Sequence, residues 1–245
     1  MLAILSAGAP ERMAALLRES GYETIRLPEN PNLPAPTAAH PDLSVFFATD
    51  AILTTPSYAK RAAEPLMQIS QATRLPVRIT RRETGNRYPQ DILLDALPVG
   101  NRLFCLPDAT ANELTAHPAY RVIPVRQGYA KCAALPVGDH ALASADPAIL
   151  AAARQEGLDI LPLSPGGIRL EGYDTGFLGG AASFAPYGGT ETVFFCGDLA
   201  AYPDGDRLKA FLASHGMTCR DLPGLPLCDI GTIFLLNGGI QHGTA

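Results

Sequence analysis

The run Cys132-Ala133-Ala134-Leu135-Pro136-Val137-Gly138-Asp139-His140-Ala141-Leu142-Ala143-Ser144 carries two short apolar segments around a turn. A helical stretch, Ala148 to Gly157, and an alternating strand, Leu158 to Leu163, follow it. Gly and Asp tolerate positive φ, so Gly138-Asp139 suits a tight antiparallel connection. The run therefore reads as a ββαβ unit. Its helix-then-strand half recurs as Arg12 to Gly21 with Tyr22 to Pro28, Ala59 to Thr73 with Leu75 to Thr80, Ala111 to His117 with Tyr120 to Val125, and Arg207 to Gly216 with Met217 to Pro223. Leu16/Leu17/Ser20, Leu66/Ile69/Thr73 and Leu208/Phe211/Leu212 are spaced to give each helix one face to bury. Paired apolar strands lie between these halves: Leu43 to Phe47 with Ala51 to Thr55, Ile92 to Leu97 with Arg102 to Leu106, and Gly176 to Phe184 with Thr192 to Phe195.

The first strand, Leu2 to Ser6, has no hairpin before it, and the last piece, Asp229 to Asn237, has no helix after it, so the two ends complete one unit. A strand from each terminus closing the same unit removes the exposed edges of an open array. The expectation is an α/β fold, a five-bladed propeller of pseudo-fivefold ββαβ units, as a single domain over residues 1–245. A doubly wound sheet would want continuous apolar strands joined singly by helices, and the paired strands contradict it.

Among the 245 residues, Lys+Arg number 19 against 24 Asp+Glu, for a net charge of −5, and charged residues make up 18% where about 25% is ordinary. This balance argues against nucleic acid as the main partner. A hydrophobic fraction of 47% excludes disorder. No window approaches the roughly 18 apolar residues of a membrane span. Met1 to Gly8 has no basic segment and meets Pro10 and Glu11 at once, unlike a signal peptide, which points to a soluble, cytoplasmic protein. Five cysteines without a CxxC pair read as free thiols. His117, His140, His215 and His242 show no mutual metal-ligand spacing, and no helix follows Gly176-Phe177-Leu178-Gly179-Gly180 to make it a dinucleotide fingerprint, so neither metal nor cofactor is expected.

Aligning the units on the start of each hairpin brings Asp42, Asp91, Asp174 and Asp229 into register, with Ala130-Lys131-Cys132 in the remaining unit. The intervals from Asp42 through Asp91, Cys132 and Asp174 to Asp229 are 49, 41, 42 and 55 residues, close to the unit length. In a closed array four acids and a thiol would share one funnel. Clustered carboxylates off bulk water need a cation, and a guanidinium, amidinium or amine ligand supplies one. Taken singly, each aspartate reads instead as a turn cap.

Leu170-Glu171-Gly172-Tyr173-Asp174 resembles the L-E-G-G-D stretch of the pentein superfamily, guanidine-modifying enzymes that include dimethylarginine dimethylaminohydrolase and the arginine and agmatine deiminases. Tyr88-Pro89-Gln90-Asp91-Ile92, Gln127-Gly128-Tyr129-Ala130-Lys131-Cys132, Gly172 to Gly180 and Asp229-Ile230-Gly231 resemble an uncharacterised bacterial pentein-fold family over nearly the whole chain. The enzymes' pattern implies a cysteine nucleophile in the last hairpin, a histidine one unit earlier and a guanidinium-gripping carboxylate near Glu171 and Asp174. Both carboxylates match. Leu235 stands in about the cysteine's place, however, and Phe194-Phe195-Cys196-Gly197-Asp198 has no histidine. Among the other thiols, the ring series offers Cys132, beside Lys131 and with His40 brought near by the symmetry, as the first candidate nucleophile, and Cys228, one residue before Asp229, as the second. A buried free cysteine is otherwise a small hydrophobe.

Two functions follow. One is binding of a small cationic ligand of guanidino, amidino or amino-acid type by Asp42, Asp91, Lys131, Glu171, Asp174 and Asp229. Hydrolysis or amidine transfer at a non-peptide C–N bond would then run through Cys132 and His40. The other is a non-catalytic interaction protein, because the fold also resembles the ribosomal anti-association factor.

Overall fold

A computed structural model describes residues 1–186 and 191–236. The chain opens with β1 (Leu2–Ser6), α1 (Glu11–Glu19) and β2 (Glu23–Leu27). Met13, Ala14 and Leu17 form the buried face of α1, and β1 and β2 pair in parallel. Next come α2 (Pro41–Ser44), β3 (Val45–Ala48), β4 (Ala51–Thr54), α3 (Pro56–Arg61), α4 (Ala63–Thr73) and β5 (Val77–Ile79). Strands β3 and β4 form an antiparallel hairpin, with Ala48 opposite Ala51, and β5 joins β4 in parallel.

The same order repeats in β6 (Leu97–Val99), β7 (Arg102–Cys105), α5 (Asn112–Thr115) and β8 (Arg121–Pro124). It repeats again in α6 (Ala130–Ala133), β9 (Ala134–Val137), β10 (Ala141–Ser144), α7 (Pro147–Gln155) and β11 (Asp159–Pro162). Helix α7 shows why the sequence starts and stops where it does. Asp146 Oδ1 accepts from the Ala148 and Ile149 amides at 2.8 and 2.9 Å, Pro147 fits the first turn, and Gly157 takes φ +71° just beyond the end.

The rest comprises β12 (Ser183–Phe184), β13 (Thr192–Phe194), α8 (Gly205–Ser214), β14 (Thr218–Arg220) and β15 (Ile233–Leu236). Here the expected hairpin is corrected. Strand β12 pairs in parallel with β15, and β13 with β14. Ala182 and Phe195 meet only in an isolated antiparallel bridge. Glycines weaken a strand interior, and Gly176 to Gly180 is a loop packed tightly on other backbone: a Cβ on Gly179 would lie 2.3 Å from the carbonyl oxygens of Lys131 and Ala134. Three expected strand starts are corrected too. Leu43 and Cys132 lie on the single helical turns α2 and α6, and Ile92 to Ala96 precede β6 as turns. Asn237 lies outside the described residues.

The described strands form five sheets, and β1 lies between β15 and β2 in the sheet ordered β12-β15-β1-β2. Five apolar clusters join the sheets in succession. Phe46 and Leu53 pack with Leu93 and Leu103, Val99 and Phe104 with Leu142 and Ile149, and Leu135 and Val137 with Val193 and Phe195. Phe194 and Cys196 pack with Leu5 and Ile233, and Ile4 and Phe234 with Phe47 and Ile52, which returns to the first hairpin. None of the described helices is long and apolar enough to cross a membrane.

Candidate functional site

The one-turn helices α2 and α6 each stand directly before a hairpin strand, and Asp42 and Lys131 are the second residues of these two turns. Pseudo-equivalent positions thus carry opposite charges. Both side chains meet Thr232, just before β15. Lys131 Nζ donates to Thr232 Oγ1 at 3.0 Å and lies 3.5 Å from Gly179 O, while Thr232 Oγ1 donates to Asp42 Oδ2 at 2.6 Å. Thr232 sits at φ +68°, a strained conformation for a β-branched residue. Its amide bond to Gly180 O at 2.9 Å helps hold it there.

Cys132, 2% exposed, places Sγ 3.1 Å from Asp42 Oδ2 and 3.1 Å from Asp95 Oδ2. Asp95 Oδ1 also accepts from the Lys131 amide at 2.6 Å, so this carboxyl ties down the start of α6. Burial, followed by the negative field of Asp42, pushes the Asp95 carboxyl well above the usual range. Burial and then Asp42, Asp95 and Asp229 push the Cys132 thiol up, so it is a proton donor to its neighbours rather than a thiolate. Burial pulls Lys131 down, against the carboxylates around it. The acids thus have an internal counter-ion, and the void beside Asp42, Lys131, Phe184 and Phe234 is about 10 Å³, room for about one water.

Asp229 accepts from the Phe177 amide at 2.9 Å and the Gly231 amide at 3.0 Å, and His40 Nε2 stands 3.8 Å from Oδ1. The carboxyl is raised by burial, with His40 acting against the shift. A Cβ on Gly180 would fall 1.9 Å from Asp229 Oδ1, so only a bare backbone admits this side chain. Asp91 accepts a hydrogen bond from the Tyr129 hydroxyl, whose pKa is raised by burial and then by Asp91. The Tyr129 ring lies 5.9 Å from Tyr88 and 6.2 Å from Phe177.

The structure brings His40, Asp42, Lys131, Cys132 and Asp229 together, with Asp91 beside Tyr129. Asp174 and Glu171 are exposed and stand apart from this buried network. Glu171 instead lines a cleft of about 330 Å³ with Arg169, Cys196 and Cys228. A ring nitrogen of His40, a carboxylate oxygen of Asp42 and Cys132 Sγ all lie within 4.8 Å of one another. Asp95, Thr232 and Tyr129 escaped the reading of the sequence. Asp95 does leave a signal, as the one charge in the apolar run Ile92-Leu93-Leu94-Asp95-Ala96-Leu97. Thr232 leaves none.

The fold is similar to that of solved dimethylarginine dimethylaminohydrolases. Over 90% of this chain and 91% of theirs, it matches a dimethylarginine dimethylaminohydrolase adduct with 4-chloro-2-hydroxymethylpyridine at TM-score 0.52 and 11% identity, and the Pseudomonas aeruginosa dimethylarginine dimethylaminohydrolase complexed with citrulline at 0.50 and 12%. The inosamine-phosphate amidinotransferase of Streptomyces griseus aligns at 0.49 and 15%, over 91% of this chain and 76% of its own. At such identities the likeness is one of mixed α/β fold. No curated protein matches by sequence. Matched over residues 4–234, the chain belongs to DUF6873, a family of unknown function, here with a pentein-like architecture.

Proposed function

We propose that the five sheets form a five-bladed pentein propeller, and that the protein binds a small guanidino, amidino or amino-acid-like cation at the end bearing Asp42, Asp91, Asp95 and Asp229. One observation carries this reading. The buried oxygens Asp42 Oδ1 and Asp91 Oδ1 have no hydrogen-bond partner among the described residues, and Lys131 is the one buried lysine there. Buried acceptors without donors are costly, and a guanidinium offers five N–H donors matched to carboxylates. Tyr88 and Tyr173 are 54% and 47% exposed, and the Tyr88 ring lies 5.9 Å from half-buried Tyr129, so exposed aromatic faces are on hand for a planar cation. Asp174 and Glu171 then act at the rim, attracting the ligand from solvent. The fold likeness to a protein complexed with citrulline, an amino acid with a ureido side chain, supports an amino-acid-like ligand.

Hydrolysis or amidine transfer at a C–N bond would use the Cys132 sulfur to attack the amidine carbon while His40 returns a proton to the departing amine. A cation held beside the acids would cancel part of the field that keeps this thiol protonated. The second reading, a non-catalytic interaction protein on the same fold, is favoured by the burial of Cys132 and by buried Leu235 in β15.

Isothermal calorimetry against arginine, agmatine, methylated arginines and polyamines tests the leading reading. We expect millimolar or tighter binding of at least one guanidino compound, weakened in Asp91→Asn. Absence of heat with every ligand, together with recovery of a stoichiometric protein partner, would replace it with the second.

A further inference from the structure

Three of the buried groups, of which Asp42 is shared with the guanidino reading, point to a second ligand chemistry. We propose that His40, Asp42 and Cys132 form a binding site for a borderline-soft divalent cation, with zinc(II) as the natural probe. The three side chains are 4%, 1% and 2% exposed, and one ligand atom from each lies within 4.8 Å of the others. Imidazole, carboxylate and thiolate are the donor types that zinc selects, and three protein ligands with a fourth position open is a common arrangement for it.

Two further observations aim the donors. His40 Nδ1 and Asp42 Oδ1 are both buried without any hydrogen-bond partner. On the other side of each group, His40 Nε2 stands 3.8 Å from Asp229 Oδ1, and Asp42 Oδ2 accepts from Thr232 at 2.6 Å and from the Cys132 thiol at 3.1 Å. A carboxylate near the imidazole and a hydroxyl on the carboxylate are the kinds of group that support metal ligands from outside. The Lys131 ammonium bonds to Thr232 and lies near Gly179 O rather than occupying the three donors. Binding would exchange the Cys132 S–H proton for the metal and release that proton to solvent. The neighbouring carboxyls, which oppose a free thiolate, favour a doubly charged cation.

The sequence spacing excluded a metal because it compared histidines with one another. These ligands come instead from two units, with Cys132 90 residues beyond Asp42.

The full-length chain, stripped with chelator and dialysed against zinc, should take up one zinc per chain at micromolar or lower free metal. Cobalt(II) in its place should show a sulfur-to-metal charge-transfer band. Both should be lost in Cys132→Ser and kept in Cys228→Ser. Asp229→Asn, which keeps all three ligands, should weaken binding by roughly tenfold to a hundredfold, and this second variant guards against a Cys132→Ser chain that fails to fold. Sub-stoichiometric zinc, a cobalt spectrum without the sulfur band, or uptake that survives in folded Cys132→Ser would overturn the site. Guanidino binding is read separately, by calorimetry on the chelator-treated wild-type chain.

Discussion

Lys131 and Asp42 are joined through one hydroxyl: Thr232 Oγ1 accepts from the ammonium at 3.0 Å and donates to the carboxylate at 2.6 Å. Thr232→Val keeps the shape and β-branching but removes both bonds, leaving two buried polar groups short of a partner. We expect a loss of about 1–3 kcal/mol in urea unfolding, with Thr232→Ser retaining most of the stability. Equal stability of the Val and Ser variants would show that the bridge contributes little.

Lys131→Met removes the internal counter-ion and leaves Asp42, Asp95 and Asp229 facing one another in a dry interior. Removing one partner of a buried ionic network costs about 3–5 kcal/mol. The deficit should shrink as pH falls toward 3.8, because Asp95 and Asp229, both raised above that value, take up protons on the way and relieve the repulsion. A deficit independent of pH would mean that lost packing, not charge, is responsible.

The wild-type protein should itself respond to pH in two windows. Asp95 and Asp229 have folded pKa values above their ordinary 3.8, so the folded state binds their protons more tightly. Stability therefore rises as pH falls through those raised values toward 3.8. Asp50 is held below 3.8, first by its hydrogen bond from His117 and then by Arg78, so its contribution is lost as pH falls further. Lys131, lowered from 10.5, acts on the alkaline side, where stability rises with pH between its folded value and 10.5. Thermal unfolding across pH should show stability rising as pH falls toward 3.8, and Asp95→Asn should flatten that rise.

Iodoacetamide followed by peptide mass analysis should label Cys219 and Cys228, both half-buried, well before Cys132. Rapid labelling of Cys132 in the native, ligand-free protein would mean that its thiol is neither as buried nor as protonated as its surroundings imply.

Gly180→Ala and Gly157→Ala form a matched contrast. A Cβ at position 180 would collide with Asp229 Oδ1 at 1.9 Å, whereas one at position 157 meets nothing within 4 Å and suffers only from φ +71°. We expect about 1 kcal/mol for Gly157→Ala and at least about 3 kcal/mol for Gly180→Ala, measured by chemical unfolding.

The repeated order of helix and strand was legible because each helix carries a one-sided apolar face and each hairpin a turn residue such as Gly100 or Gly138, both at positive φ in the structure. The one-turn helices were not, since Pro41-Asp42-Leu43-Ser44 is too short to display a period. Reading Leu43-Ser44 and Ile92 to Ala96 as strand also hid Asp95, which stands two residues before β6. Asp174 was placed in the ring on the premise of a fourth hairpin, whereas the glycines after it form a loop that leaves Asp174 outside and lets Asp229 in. Thr232 could not have been found, because its role depends on a backbone conformation that its residue type disfavours and on partners 101 and 190 residues away.

Strand β1 lies in the middle of its sheet, with Glu23–Leu27 on one flank and Ile233–Leu236 on the other. The first flank comes from residues close by in sequence, whereas Leu235 reaches Ala3 from 232 residues away. Without that pairing the buried residues Leu2-Ala3-Ile4-Leu5-Ser6 would keep one strand edge open. An unpaired apolar edge invites strand-to-strand association, so whatever loosens the seam between Ala3 and Leu235 also favours self-association of the chain.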